Sequence, residues 1–190
     1  YIFKKNKGVD MKTIIFFFCL LITVSLSAQI SKFESNAKNF EFERTKLWLT
    51  LAEFKNKYPS AIKIVDDDEA IGVLAYKVYE LISASYGYFY FFENKFYLGN
   101  IIYSESKLDS FGGVETLLNR LLEKLGRENA KYNTIEDENK VAVFRWDFKN
   151  ISRYFELLSY KDGSVKFLFD DELVTKKIKE KKAQAANVGF

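Results

Sequence analysis

The sequence predicts an α+β domain built of two αβββ units whose helices pack on an antiparallel sheet. Three observations carry that expectation. Apolar residues fall at helical spacing from Val114 to Leu125, the alternation of Val165, Phe167 and Phe169 marks a strand with one buried face, and the same order of a helix and three strands occurs earlier, between Thr50 and Tyr103. A chain of 190 residues, 48% hydrophobic and 17% aromatic, has ample material for one core.

Taken in order, residues 1–10 are an upstream extension and Met11 is the expected start. Met11 to Ala28 has the form of an export signal: Lys12 supplies the positive end, Thr13 to Val24 the apolar centre, and Ser25-Leu-Ser-Ala28 the small residues of a cut site. A transmembrane helix is the competing reading, but the apolar run is shorter than the ~20 residues a bilayer requires and ends in Ser, Ala and Gln. Cys19 lies inside the apolar centre rather than just after a Leu-rich box, which disfavours a lipid anchor. Ala28 suits the position before the cut, although the bulk of Leu26 leaves cleavage after Ser27 open. The expected location is the periplasm or the medium, with no integral membrane segment in the mature chain.

The mature chain begins with a polar segment, 29–46, expected to be mobile, in which Phe40 and Phe42 form a short edge strand. A single domain follows over 47–173, divided into halves at 47–108 and 109–173. In the first half Thr50-Leu-Ala-Glu53 is a capping box, and Pro59 stops the helix by constraining Tyr58. Ile71 to Leu81, Tyr86 to Phe92 and Phe96 to Tyr103 are rich in β-branched and aromatic residues, with Glu93-Asn94-Lys95 as a hairpin turn. In the second half the Val114 to Leu125 helix should close at Gly126 in a left-handed cap. Strands then cover Val141 to Phe148, Ile151 to Tyr160 and Val165 to Asp170, the last two joined at Asp162-Gly163. Leu117, Leu121, Phe144, Trp146, Phe167 and Phe169 are the expected core. Residues 174–190 are a basic tail, expected to be frayed and solvated.

Composition excludes several chemistries. Removing residues 1–28 takes the 29 basic and 26 acidic side chains to parity, so the mature chain has no basic excess for nucleic acid. Histidine is absent and the single Cys leaves with the signal. Ser-His-Asp and Cys-His nucleophiles, ordinary zinc sites and disulfides therefore cannot be built. No cofactor and no metal is implied.

Six groups of residues remain as candidates. Asp66-Asp67-Asp68-Glu69 offers oxygen ligands for calcium, but the familiar loop needs a third ligand where Ala70 stands and Gly where Ile71 stands, so a solvated acidic turn is the better reading. Ser104-Glu-Ser-Lys107 has the spacing of a Ser-Lys nucleophile, a pattern common by chance, and lies in an expected loop. Asp147 and Glu156 fall on neighbouring strands beside Arg145 and Arg153, where cross-strand ion pairing competes with a carboxylate pair for hydrolysis. Glu136-Asp137-Glu138 and Asp170-Asp171-Glu172 lie at strand ends, where charge is ordinary. Tyr86, Tyr88 and Tyr90 share one strand face. They either grip a partner protein, stack on sugar rings, or simply cover the sheet beneath the helices or the tail.

The order of elements, the export signal and the fragment Leu49-Thr-Leu-Ala-Glu-Phe54 ahead of Tyr58-Pro59 resemble the small exported proteins built of αβββ units. These include the β-lactamase-inhibitor-like proteins and the small lipoprotein of the outer-membrane assembly machinery. The resemblance implies protein binding; the common Gly-Met-Thr helix opening is here Trp48-Leu49-Thr50, and no functional residue carries over. The expected function is that of an exported, non-catalytic binding or envelope-structural protein whose partner is another envelope or secreted protein. A carboxylate-dependent hydrolase of envelope glycan or peptide is the alternative.

Overall fold

The computed structural model describes residues 31–188 except 43, 44, 47, 80, 111, 128, 129 and 135–139. The extension at 1–10, the export signal at 11–28 and the acidic run Glu136-Asp137-Glu138 lie outside the described residues. Helical residues 31–38 form α1, followed by a small hairpin of β1 (Glu41–Phe42) and β2 (Thr45–Lys46). The first half then runs α2 (Leu51–Lys57), β3 (Ile62–Ile64), β4 (Val73–Val78), β5 (Tyr86–Phe92) and β6 (Lys95–Tyr103). After α3 (Glu105–Ser110), the second half runs α4 (Gly113–Leu125), β7 (Ala130–Thr134), β8 (Lys140–Phe148), β9 (Arg153–Tyr160) and β10 (Val165–Asp171), closing with α5 (Glu172–Val188).

The eight strands β3 to β10 form one sheet in the order β3-β4-β5-β6-β10-β9-β8-β7, antiparallel throughout. The six strands legible in the sequence occupy its centre. The structure adds β3 and β7 at the two edges, so each half contributes four strands. Both edge strands are short and carry Lys63 or Lys131, which is how sheet edges are commonly protected from further pairing.

Alternation sorts the side chains onto two faces. On one, Tyr76, Phe89, Gly99, Phe169, Phe155 and Trp146 lie opposite one another in register across six strands. The glycine is required there, because a Cβ on Gly99 would overlap the ring of Phe169. Phe54 and Tyr58 of α2, Leu108 of α3 and Leu117, Leu121 and Leu125 of α4 pack onto this face, where Trp146, Phe155 and Phe169 are fully buried. Of the expected core only Phe144 is half-buried. The helix starts behave as their residues demand. Thr50 and Glu53 form the reciprocal capping box of α2, which satisfies the N–H groups of both residues. At the other end of α4, Gly126 has φ +86° but ψ 130°, so it ends the helix with a positive φ outside the left-handed cap. Its carbonyl accepts the Trp146 indole N–H at 3.1 Å.

Both termini depart from expectation. The segment 29–46 is folded from residue 31: Phe33 and Ala37, one turn apart on α1, are buried with Phe40 and Phe42 against the main core. Three hydrogen bonds tie α1 down, from Asn36 to the Lys124 carbonyl, from Asn150 to Glu34 and from Arg153 to the Lys38 carbonyl. The tail is likewise not frayed. Asp171 accepts from the Val174 N–H, opening α5, and Ile178 is buried with Val73, Phe92 and Tyr97 on the opposite face of the sheet. Val174 packs beside it, one turn earlier, and this pair supplies an anchor that a lysine-rich sequence conceals.

Candidate functional site

The second sheet face is where the candidate tyrosines lie. Three registered rows cross it: Ala75, Tyr90, Leu98, Asp170, Tyr154 and Asp147; then Lys77, Tyr88, Asn100, Leu168, Glu156, Arg145 and Lys131; then Tyr86, Ile102, Lys166, Leu158 and Val143. The rows separate the three tyrosines. Tyr90 packs against the cluster beneath α5 and contacts Tyr97 edge-on at 6.4 Å, and burial raises its hydroxyl above the ordinary Tyr value. It is largely a packing residue. Tyr86 and Tyr88 sit beyond that cluster, half-exposed, with Asn100, Ile102, Lys166 and Leu168 beside them.

Tyr86 and Tyr88 meet edge to face at 5.6 Å, and Tyr79, which is 55% exposed, extends the group at 6.3 Å from Tyr86. Lys77 stands among them. Its ammonium lies 4.5 Å, 4.4 Å and 5.2 Å from the ring centroids of Tyr79, Tyr86 and Tyr88, within the range of cation–π attraction. Hydrogen bonding to the phenols of Tyr79 and Tyr88 holds this lysine above its ordinary pKa. Asn100, opposite Tyr88 in register, has a side-chain oxygen that is buried without a hydrogen-bond partner. Lys77 and Tyr79 escaped sequence reasoning because their meeting with Tyr88 depends on the β4–β5 register, which no local turn signal between the two strands sets.

At the other end of the same face the charges are internally satisfied. Arg145 donates to Asp147 at 2.7 Å and to the directly opposite Glu156 at 2.6 Å, lies 3.5 Å from Glu172, and stacks over Tyr154 at 4.0 Å. Lys131 adds a contact to Asp147 at 3.5 Å. Asp147 and Glu156 are thus cross-strand ion-pair members. Both carboxylates are turned to one guanidinium rather than to each other. Arg153 goes elsewhere, stacking at 3.8 Å over Trp48.

Beneath α5, Asp170 is the buried charged residue among those described, 4% exposed. It accepts from the Thr175 hydroxyl at 2.6 Å and from the Tyr154 phenol, and burial raises its carboxyl above the usual range against the pull of those bonds. This was not visible in Asp170-Asp171-Glu172, where three adjacent acids conceal that alternation sends the first one inward.

The remaining candidates have structural employment. Asp66 accepts the Asp68 N–H at 2.9 Å, Asp68 pairs with Lys182 at 2.6 Å, and Glu69 pairs with Lys63. Among the described residues no cluster of His, Cys, Asp and Glu is arranged to hold a metal. Ser104 lies at the start of α3, not in an open loop, and its hydroxyl is engaged by Ser85 at 2.8 Å and Ser106 at 3.2 Å. A wide furrow of about 780 Å³ runs between α1 and α4, yet Phe40, Leu117, Leu121 and Phe167 on its floor are each less than a tenth exposed. Ile82, 84% exposed, also lines it, beside the charged Lys32, Arg120 and Lys124. No helix among the described residues is long and apolar enough to cross a membrane.

Comparison with known proteins returns no relative: no protein-family model matches the chain, and no curated protein and no solved structure matches it.

Proposed function

We propose that the chain is an exported, non-catalytic protein that binds another envelope or secreted protein through the open part of its second sheet face, with Tyr86 and Tyr88 at the centre. The observation that carries this reading is the unequal covering of the sheet: helices cover one face, whereas on the other Ile178 and Val174 of α5 pack over Val73, Phe92, Tyr97, Tyr90 and Leu98 and leave Tyr86 and Tyr88 half-exposed. What remains half-exposed sets Tyr86, Tyr88, Ile102 and Leu168 among Lys77, Asn100 and Lys166, and a tyrosine in such a setting concentrates binding energy because it brings a large rigid area at small entropic cost. The pairing of Asp147 and Glu156 with one arginine removes the specific support for a hydrolase.

The export part of the reading rests on Met11 to Ala28 and is tested by N-terminal sequencing of protein recovered from the native host, which should begin near Gln29. Recovery of the intact segment in the inner membrane contradicts it. For binding, the native protein and its Tyr86→Ala and Tyr88→Ala variants are used to capture partners from the envelope fraction, with partners identified by mass spectrometry and affinities then measured with the purified partner. Each substitution should weaken binding by more than about 1 kcal/mol. Unchanged affinity in folded variants removes the site.

A further inference from the structure

We infer that the partner docks a carboxylate of its own onto Lys77, so that the tyrosine cluster serves as a collar around a cationic anchor; this rests on the binding reading above. The argument begins with where the counter-charges are. Along the middle row, the residues between Lys77 and the first carboxylate, Glu156, are Tyr88, Asn100 and Leu168. Four strand spacings put Glu156 about 19 Å away, and it is already held by Arg145. Among the described residues on the β4 side of the sheet, Asp68 pairs with Lys182, Glu69 with Lys63 and Glu93 with Lys181, while Asp66 lies toward Tyr90 and Tyr97 at the α5 end of the face, with Asp67 next to it in sequence. Lys77 itself is surrounded by three phenol rings, which hold an ammonium in place but carry no net charge to neutralise it.

The cation is therefore fixed in position, flanked by half-exposed apolar area, and open to an anion from outside. Fixing matters, because a lysine free to roam loses rotamer entropy on pairing, whereas one already held between rings loses less. A protein fits better than an acidic sugar, since Lys77 occupies the space over these rings that a sugar would need for stacking.

The test is an NMR titration of the full chain with two acetylated, amidated decapeptides that differ only in carrying Glu or Gln at alternate positions between leucines. The Glu peptide should shift resonances of Tyr79, Tyr86 and Tyr88 and bind at least five-fold more tightly than the Gln peptide, and Lys77→Gln should erase that difference without changing the melting temperature. Glu80→Gln serves as a control for the acidic residue nearest in sequence and should leave the difference in place. Equal affinity of the two peptides, absence of shifts at the tyrosines, or tighter binding of an oligogalacturonate than of the Glu peptide each overturns the inference. If native capture is lost in Tyr88→Ala but untouched in Lys77→Gln, the binding reading stands and the carboxylate anchor falls.

Discussion

Arg145 and Lys77 occupy the same registered row of the same sheet face, yet the fold treats them in opposite ways. Arg145 has carboxylates on its own strand, on the opposite strand and on α5, together with a ring beneath it. Among the described residues Lys77 has the rings and phenols of tyrosines and no carboxylate. The first arrangement closes a corner of the molecule: a planar fork satisfied on several sides fixes β8, β9 and the start of α5 together. The second leaves a charge with no carboxylate partner among the described residues, on a surface rich in tyrosine. One face of one sheet thus contains a finished structural joint and an unfinished one, and unfinished interactions are where a second molecule gains free energy.

The same contrast, between covered and open sheet, orders the expected effects of substitution. Leu121→Asp places an unpaired charge between α4 and the aromatic row and should cost several kcal/mol, read as loss of most of the denaturant midpoint; a variant that melts like the parent contradicts the core. Gly99→Ala attacks that row at its narrowest point. Forcing a methyl group against Phe169 should destabilise by about 1–3 kcal/mol in urea unfolding. Tyr88→Ala lies on the open face, and its cost to stability should stay under about 1 kcal/mol while affinity for a partner falls. Were it to unfold the protein instead, the open face would be core.

Asp170 gives the smallest effect and the one with a pH signature. Its native carboxyl is held above the ordinary range by burial, so the unfolded chain gives up this proton at lower pH than the fold does. The stabilising contribution of the protonated group is full below the unfolded value, falls as pH rises towards the folded value, and is gone above it. Asp170→Asn keeps a carbonyl oxygen for Thr175 and removes the buried charge. Urea unfolding at pH 7 should therefore find the variant at least as stable as the parent, with its advantage shrinking as pH drops through the carboxylate range. An advantage that grows on acidification reverses the assignment.

How much of this was legible depended on how local the determining interaction is. The capping box at Thr50 and Glu53, the helix from Val114 and the turn at Asp162-Gly163 are settled within a few residues, and all three are present. The two-residue turn Glu93-Asn94, both residues at positive φ, likewise fixes how β5 meets β6. Termini were misread because two anchors each, Phe33 with Ala37 and Val174 with Ile178, are too few to stand out from their polar surroundings. The site was half legible. Tyr86 and Tyr88 share a face by alternation alone, but a register shift between Tyr90 and Phe91 puts the adjacent Tyr97 and Leu98 both under α5, and the collar around Lys77 exists only once β4 has paired with β5.

The strand order β3-β4-β5-β6-β10-β9-β8-β7 has a kinetic consequence. Within each half every strand pairs with its neighbour in sequence, so each meander closes through short loops. The ladder between β6 and β10 is the exception, joining residues such as Gly99 and Phe169 across the whole intervening chain. Loop closure is slowest where the separation is greatest, which makes this central seam the step that waits for both halves. Gly99 is then more than a gap for a ring: it is the place where two independently zippered meanders must fit together, and an error there traps the protein as two good halves of one sheet.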